Sequence, residues 1–253
     1  RAPSRGQCSR IGFFLVTECI RSTDLVLLPG MMCDARLWTR QATALSGGWR
    51  IHCGNLAGSD SIAGMAAQIL DWAPERFALA GLSMGGIVAM AMWRQAPERI
   101  ERLALLDTNF RADTDERRAL RNAQMARVTA GELASVLRDE LKPNYLARCH
   151  RGDPALLDEV LAMGLDLGER CFIRQSMALR DRIDSTDTLA TIDCPTLVLC
   201  GDEDSLCPVA LHEEMAALIP GASLQVVARC GHLSAMEQPE AVNRALQQWL
   251  GTN

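Results

Sequence analysis

The chain alternates between short, continuous apolar runs and longer segments in which apolar residues recur at helical spacing. Continuous apolar runs are typical of strands that are covered on both faces. They predict strands over residues 25–28, 49–53, 77–81, 100–106, 195–200 and 223–227. The helical spacing predicts helices over residues 34–45, 59–72, 87–93, 209–219 and 235–250. This alternation favours an α/β fold, in which helices flank a mostly parallel sheet.

Residues 109–191 depart from this alternation. They contain no β-rich run, and they are dense in Arg, Asp, Glu, Ala and Leu, with breaks at positions such as Gly131 and Gly164. Several short helices are therefore expected here, inserted between two strands. Because an insertion of this size at the exit end of a strand is often functional, we predict a helical lid over 109–191. The remaining residues, 25–108 and 192–253, form the predicted core.

Residues 1–24 are predicted to form an irregular N-terminal segment with one candidate edge strand over 13–20. The apolar run at 11–16 is shorter than the core of about 7–15 residues that a signal peptide needs. Residues 77–93 are uncharged, but glycines interrupt them in the middle, so a buried strand, a turn and a buried helix explain them. No membrane span is predicted.

The composition is that of a globular protein, with 48% hydrophobic residues, 23% charged residues and a net charge of −5. An acidic chain has no basic field to gather phosphates, and few aromatic residues are present for base stacking. These features predict that nucleic acid is not a partner. The ten cysteines form no C-x-x-C pair, which predicts reduced, mostly buried thiols and no zinc ribbon. Lys142 is the only lysine, a bias that favours a bacterial genome, and together these features favour a cytoplasmic location.

One motif indicates a nucleophile. Gly81-Leu82-Ser83-Met84-Gly85 is a G-x-S-x-G segment that follows a predicted strand and opens a predicted helix. Glycines two residues on either side of Ser83 permit a sharp turn in which side chains would clash. The turn also brings the hydroxyl to a helix N-terminus, where partial positive charge favours a developing anion. A glycine-bearing packing turn is the structural alternative.

A serine nucleophile needs a base, and the chain has four histidines. His232 follows the last predicted strand, so it lies at the strand edge where sites in open α/β sheets gather. His52 lies inside a predicted strand and is expected to pack internally. His150 is expected to be solvated, and His212 to pair with acidic neighbours on a helix surface. We therefore predict that His232 is the base.

The base needs an orienting carboxylate, and several are available. Asp202, Glu203 and Asp204 follow the strand that ends near residue 200. No histidine adjoins them in sequence, so a metal site is not predicted. Asp107, at the exit of another strand, competes for the orienting role, although bonding to backbone amides is its alternative.

Together these residues resemble an α/β-hydrolase fold serine hydrolase with an inserted lid, over about residues 25–250, and the chain order Ser, Asp, His matches that fold. The family's acid is usually the fourth residue of a G-x-x-D-x-x-x-P loop, which Gly201, Asp204 and Pro208 match. Gly231 and His232 match the family's histidine loop, as does the Glu-Gln-Pro-Glu segment after it. The resemblance therefore implies a triad of Ser83, Asp204 and His232.

The resemblance also implies an oxyanion hole formed by the backbone N–H groups of Met31 and Met84. Relatives usually carry His-Gly after the first long strand, whereas this chain has Pro29-Gly30. Because the donors are backbone groups, this departure reshapes the loop without removing them.

The resemblance implies a small-molecule substrate, and the expected reaction is hydrolysis of a carboxylic ester or lactone of a small to medium, partly apolar compound through an acyl-enzyme, with no cofactor and no metal. Relatives with the same triad cleave carbon–carbon bonds, hydrolyse thioesters or perhydrolyse acids, and some proteins of this fold are small-molecule receptors. Met32, Trp38 and Phe110, with the side chains of Met31 and Met84, are candidates for an apolar substrate pocket, and core packing is their alternative. Four arginines of the predicted lid could bind a substrate carboxylate, although a solvated helix face is their simpler explanation: Arg111, Arg117, Arg118 and Arg121.

Overall fold

A computed structural model describes residues 23–251. Within that range six strands form one sheet: β1 (Asp24–Leu28), β2 (Arg50–Cys53), β3 (Phe77–Leu82), β4 (Ile100–Leu106), β5 (Thr196–Gly201) and β6 (Ser223–Val227). Their order is β2-β1-β3-β4-β5-β6, and every neighbouring pair is parallel. The predicted α/β fold is confirmed. The candidate edge strand at 13–20 lies outside the described residues.

Helices flank the sheet. Those of the N-terminal half are α1 (Thr39–Leu45), α2 (Ile62–Trp72) and α3 (Met84–Gln95). Those between β4 and β5 are α4 (Asp115–Thr129), the single turn α5 (Leu133–Ser135), α6 (Pro154–Arg180) and α7 (Thr186–Leu189). Those after β5 are α8 (Val209–Leu218), α9 (Ser234–Glu237) and α10 (Pro239–Leu250). A π-helical turn (Val136–Leu141) and a 3₁₀ turn (Lys142–Asn144) follow α5.

The core has two parts because side chains alternate across a strand. Val26 and Leu28 of β1 belong to the part that contains α2 and α3. Leu25 and Leu27 belong to the part that contains α1 and α10. Strand β1 is buried along its whole length, as its continuous apolar sequence predicts.

The first turn of α3 differs from its predicted start at residue 87. The helix begins at Met84, directly after Ser83, and it contains Gly85 and Gly86. A Cβ on Gly85 would meet the carbonyl oxygen of Leu28, and one on Gly86 would meet the Thr108 side chain. These glycines allow the helix to pack closely on the sheet, although their low helix propensity argues against a helix at that point.

The prediction that Gly164 interrupts the helices of the insertion is wrong. Gly164 lies inside α6, where a Cβ would come within 2.8 Å of a methyl carbon of Leu137. It serves close packing rather than ending the helix. The interruption lies instead at Gly168, whose φ of 77° is left-handed, and it divides α6 into two segments. The break at Gly131, where φ is 88°, separates α4 from α5.

None of the helices between residues 23 and 251 is long and apolar enough to cross a membrane. The uncharged segment 77–93 forms β3, the turn at Ser83 and most of α3. The C-terminal ends of the parallel strands share one edge of the sheet. Candidate residues that follow β3, β5 and β6 are therefore brought to the same side of the molecule.

Candidate active site

Ser83 occupies a sharp turn between β3 and α3. Its φ is 54°, a left-handed value that costs a non-glycine residue about 1–3 kcal/mol. The turn is held by backbone contacts, because the Ser83 N–H donates to the Leu106 carbonyl at 2.9 Å. The Ser83 carbonyl accepts from the Thr108 hydroxyl at 2.6 Å. A Cβ on Gly81 would collide with the Gly85 backbone, so the motif glycines make this turn sterically feasible.

The structure brings Ser83, His232 and Asp204 into one hydrogen-bonded line. The Ser83 Oγ lies 2.8 Å from His232 Nε2, and His232 Nδ1 lies 2.8 Å from Asp204 Oδ2. Both His232 and Asp204 are 4% exposed. A hydroxyl, an imidazole and a carboxylate in this order can pass a proton from the serine to the histidine while the carboxylate fixes the ring tautomer.

Backbone donors hold Asp204 in place. Its Oδ1 accepts from the N–H groups of Leu206 and Cys207, each at 2.9 Å. Burial raises the pKa of Asp204, but the charge of His232 and these hydrogen bonds outweigh it, so the pKa lies below its ordinary value. The carboxylate therefore stays ionised beside the imidazole.

Asp107 does not contact His232. Its Oδ1 accepts from the Gly201 N–H at 3.1 Å, and its Oδ2 accepts from the Ser234 hydroxyl at 2.5 Å. It therefore ties together the loop that carries Asp204 and the loop that carries His232. Burial, followed by the nearby Asp204 charge, raises its pKa well above the ordinary value. The alternative role in binding backbone amides fits Asp107, and of these two carboxylates it is Asp204 that bonds to the imidazole.

The pKa of His232 results from opposing effects. Burial lowers it, whereas the charge of Asp204, the hydrogen bond to it and contacts with Cys207 raise it, so that it lies well above 6.5. Burial raises the pKa of Cys207, so its thiol stays protonated next to the ring. His232 is thus a strong base for the neighbouring hydroxyl.

The other histidines differ from their predicted surroundings. His212 is fully buried rather than on a surface, and its Nε2 accepts from the Thr108 N–H at 3.0 Å. Burial lowers its pKa, which suits a neutral acceptor. His150 is not simply solvated, because its Nδ1 lies 3.0 Å from the carboxylate of Glu237. His52 lies on β2, which is an outermost strand of the sheet among residues 23–251, and it bonds to Asp24.

The predicted oxyanion donors flank Ser83. A Cβ on Gly30 would lie 3.4 Å from the Ser83 Cβ, so the loop that carries the Met31 N–H runs beside the nucleophile. The Met84 N–H is at the first position of α3. Within residues 23–251 neither N–H has a hydrogen-bond partner. Both are therefore free to donate to an anion.

The next residue of that loop is held by a contact that the sequence did not predict. The Met32 N–H donates to Gln175 Oε1 at 2.8 Å, and Gln175 Nε2 donates to the Leu56 carbonyl at 3.3 Å. Gln175 is 1% exposed and lies in α6. It anchors the loop in its left-handed conformation, since Met32 has a φ of 53°. A lone glutamine in a helical pattern carries no signal for this role.

A cavity of about 240 Å³ opens beside Ser83 and His232. Its apolar wall includes Met31, Ile87, Leu120, Leu141, Leu179 and Leu206. Its polar wall includes Asn109, Arg117, Arg121, Asn144, Tyr145 and Arg182. Most of these residues belong to the insertion, where composition alone does not indicate which side chains face the nucleophile.

Three predicted pocket residues do not line this cavity. Met32 and Trp38 are completely buried, and Phe110 is 1% exposed. Met32 and Phe110 pack in the part of the core that contains α2 and α3, and Trp38 packs in the other part. The alternative of core packing is correct for all three, because large apolar side chains close to a site are more often used to fill the protein interior.

Among the residues that the structure describes, one cluster of side chains could hold a metal ion. The ligand atoms of Asp204, Cys207 and His232 lie within 4.8 Å of one another. The hydrogen bond between the imidazole and the Asp204 carboxylate uses two of these groups already. A metal bound there would compete with the proton-transfer line.

The chain matches the alpha/beta hydrolase family over residues 25–245. It is 26% identical to the candidate carbamate hydrolase RutD of Escherichia coli O150:H5 (strain SE15), over 90% of this chain and 91% of that protein. Its structure is similar to an esterase from Thermogutta terrifontis with malate bound, with a TM-score of 0.83 and 29% identity over 91% of this chain and 90% of that one. An enol-lactonase from Burkholderia xenovorans LB400 shares the fold, with a TM-score of 0.83 and 22% identity over 91% of this chain and 92% of that one.

The family match extends from β1 into α10 and includes the turn at Ser83 and the loops of Asp204 and His232. These relatives are bacterial, and hydrolysis is the chemistry named for each of them. The chain belongs to the alpha/beta hydrolase family.

Proposed function

We propose that the protein is a serine hydrolase that cleaves a carboxylic ester or lactone of a small to medium, partly apolar substrate. The observation that carries this proposal is the line from the Ser83 Oγ through His232 to Asp204, with 2.8 Å at each step. The free N–H groups beside Ser83 and the apolar wall of the cavity support it. The proposed reaction requires no cofactor.

In the first half of the reaction, His232 removes the proton of Ser83 as its Oγ attacks the carbonyl carbon. Asp204 holds the ring so that Nε2 faces the hydroxyl, and it stabilises the imidazolium that forms. His232 then gives the proton to the leaving oxygen, which departs and leaves an acyl-enzyme. In the second half, His232 activates a water that releases the acid and restores the serine.

The negative charge of the tetrahedral intermediate falls on the carbonyl oxygen. The N–H groups of Met31 and Met84 are its proposed donors, each worth about 3 kcal/mol of transition-state stabilisation. The strained turn at Ser83 and the Gln175 contact with the neighbouring loop support pre-organised donors. The N-terminus of α3 adds a favourable field at the same place.

The insertion acts as a lid in this proposal. Tyr145 lies at the cavity, with its ring centroid 5.6 Å from that of His232. The His232 N–H donates to the Tyr145 carbonyl at 2.7 Å, so the insertion and the histidine loop are directly joined. A lid in contact with the base can exclude water and shape the acyl site.

Labelling with a fluorophosphonate tests the nucleophile directly. Wild-type protein should label at Ser83, and Ser83→Ala should not label. Its turnover of 4-nitrophenyl butyrate should fall roughly 10³-fold or more. Ser46→Ala is the matched control, because Ser46 lies on an exposed turn, where its hydroxyl donates to the Thr43 carbonyl.

Undiminished labelling or turnover in Ser83→Ala would refute the proposal. An inert serine in folded wild-type protein would favour a small-molecule receptor on the same fold. Panels of lactones, thioesters, carbamates and carbon–carbon cleavage substrates then distinguish an esterase from relatives that use the same three groups.

A further inference from the structure

We propose that the substrate of this site carries a carboxylate, which binds to Arg117, Arg121 and Arg182 at the insertion side of the cavity. This inference rests on the proposed serine hydrolase function and names its substrate class. All three guanidinium-bearing side chains line the same cavity as Ser83 and His232. The substrate would therefore be a half-ester of a short diacid, or a lactone that bears an acid group.

The three arginines come from two elements that meet above the nucleophile. Arg117 and Arg121 are one helical turn apart on α4, so they share a face of that helix. Arg182 follows the end of α6. The insertion therefore brings together positive charges that are separated by about 60 positions in sequence.

Acidic side chains offset only part of this charge. Asp113 is the shared partner, at 2.5 Å from Arg121 Nε and 2.7 Å from Arg182 Nη1. Within residues 23–251 the Arg117 guanidinium has no ion-pair partner. Glu140 also lines the cavity, but its carboxylate pairs with Arg127. Three guanidinium groups thus face one carboxylate that is not engaged elsewhere.

This arrangement places a costly charge away from water. The Arg182 side chain is 3% exposed. Burial lowers its pKa, Asp113 raises it, and the like charges of Arg121 and Arg117 lower it again. A second anion between these groups would relieve the repulsion, and Arg117 and Arg121 retain N–H groups that can donate to it.

The cluster is also within reach of the reacting carbonyl. Arg121 Nη1 lies 3.8 Å from the sulfur of Met31, whose N–H is the proposed oxyanion donor. A carboxylate bound at Arg121 would therefore be separated from the scissile carbonyl by roughly the length of one extended side chain. A three-carbon spacer, as in glutarate, suits this distance.

The other two arginines considered from the sequence lie elsewhere. Arg111 pairs with Glu214, and Arg118 lies 3.9 Å from the exposed Asp115. Neither lines the cavity. Arg118 is therefore a matched control, since it belongs to the same helix as Arg117 and has the same charge.

The test compares 4-nitrophenyl hydrogen glutarate with 4-nitrophenyl methyl glutarate, which differ only in the free acid. In wild-type protein kcat/KM should favour the acid by roughly 10-fold or more, the value of a charge-assisted hydrogen bond. This ratio should fall toward one in Arg117→Gln and in Arg121→Gln. It should be unchanged in Arg118→Gln.

A wild-type ratio near one, or a ratio that survives both cavity substitutions, would overturn the carboxylate site while leaving the serine hydrolase intact. Titration calorimetry of glutarate into Ser83→Ala provides a readout that does not depend on turnover. Glutarate should bind this variant, and adding Arg117→Gln should weaken binding about 10-fold, whereas adding Arg118→Gln should not. Absence of fluorophosphonate labelling in folded wild-type protein, by contrast, would refute only the proposed nucleophile.

Discussion

The sheet edge and the helical insertion contribute to the candidate site in different ways. Ser83, Asp204 and His232 follow β3, β5 and β6, and the register of parallel strands brings their loops together. Tyr145, Arg117 and Arg182 reach the same cavity from helices and turns that no strand register fixes. The sheet therefore positions the proposed chemistry, whereas packing of the insertion determines what surrounds it.

Glu237 joins the two regions. Its carboxylate accepts from the Gly231 and Leu233 N–H groups at 3.0 and 3.3 Å, on either side of His232. It also accepts from the Ala147 N–H at 2.7 Å, and it bonds to His150 at 3.0 Å. The side chain is completely buried. One carboxylate thus fixes the histidine loop and the adjoining part of the insertion in a single arrangement.

The largest effect is expected at the sheet edge, from Asp204→Asn. Loss of the orienting carboxylate should reduce kcat roughly 10³- to 10⁴-fold, because the amide favours the wrong imidazole tautomer. Asp204 raises the pKa of His232, so the wild-type activity should fall with decreasing pH around a midpoint above 6.5. In Asp204→Asn that midpoint should move to lower pH. A pH profile of kcat/KM for both proteins measures the shift.

Asp107→Asn is the control for this substitution. Asp107 is equally buried in the same region but bonds to Gly201 and Ser234 rather than to the imidazole. It should lower stability and leave the pH midpoint of the remaining activity unchanged. If Asp107→Asn moved the midpoint and Asp204→Asn did not, the orienting role would belong to Asp107.

A smaller loss is expected where the two regions meet, from Glu237→Ala. The substitution leaves buried N–H groups without an acceptor, at about 1–3 kcal/mol for each unsatisfied group. Displacement of the His232 loop by about 1 Å should lower kcat by up to roughly 10²-fold. Urea unfolding and steady-state kinetics measure the two effects. Glu237→Gln keeps one oxygen acceptor, so it should recover part of the lost stability and part of the lost kcat. Equal losses in Glu237→Ala and Glu237→Gln would exclude a positioning role.

The sequence was sufficient to predict the strands of the sheet, because the burial of a strand and the shape of a tight turn depend on residues that are adjacent in the chain. Continuous apolar runs identify buried strands, and the glycines of the motif identify the turn at Ser83. Strand ends then place Ser83 and His232 at one edge. The choice of Asp204 over Asp107 came from a family resemblance, and the geometry of their hydrogen bonds distinguishes them.

The insertion could be predicted only in outline. Its composition indicates helices, but Tyr145 and Gln175 reach the site through tertiary contacts with no periodic signature. Apolar residues near the motif were expected in the pocket, whereas Met32, Trp38 and Phe110 fill the core. Large side chains in a close-packed interior are placed by the space around them, which a sequence does not display.

A third prediction concerns the loop that α6 supports. In Gln175→Ala the buried Met32 N–H loses its acceptor, which should cost about 1–3 kcal/mol of stability. The adjoining oxyanion donor should become less well ordered, and kcat should fall by up to roughly 10-fold with KM little changed. Arg174→Ala is the control, since Arg174 is an exposed neighbour whose guanidinium donates to the Ala57 carbonyl. A rise in KM at constant kcat would indicate that Gln175 supports substrate binding instead.

The prediction with the smallest expected effect concerns whether the sheet and the helical insertion unfold together. Gly168 in the insertion and Gly221 before β6 have φ values of 77° and 73°, and a Cβ on either would meet no atom within 4 Å. Alanine at each position should therefore cost about 1 kcal/mol of backbone strain and nothing from packing. Because Glu237 and Gln175 bond across the two regions, we expect Gly168→Ala and Gly221→Ala to lower the urea midpoint equally. Gly152→Ala, which has open space and no left-handed φ, should leave it unchanged or slightly higher. If only Gly221→Ala lowered the midpoint, the insertion would unfold independently of the sheet.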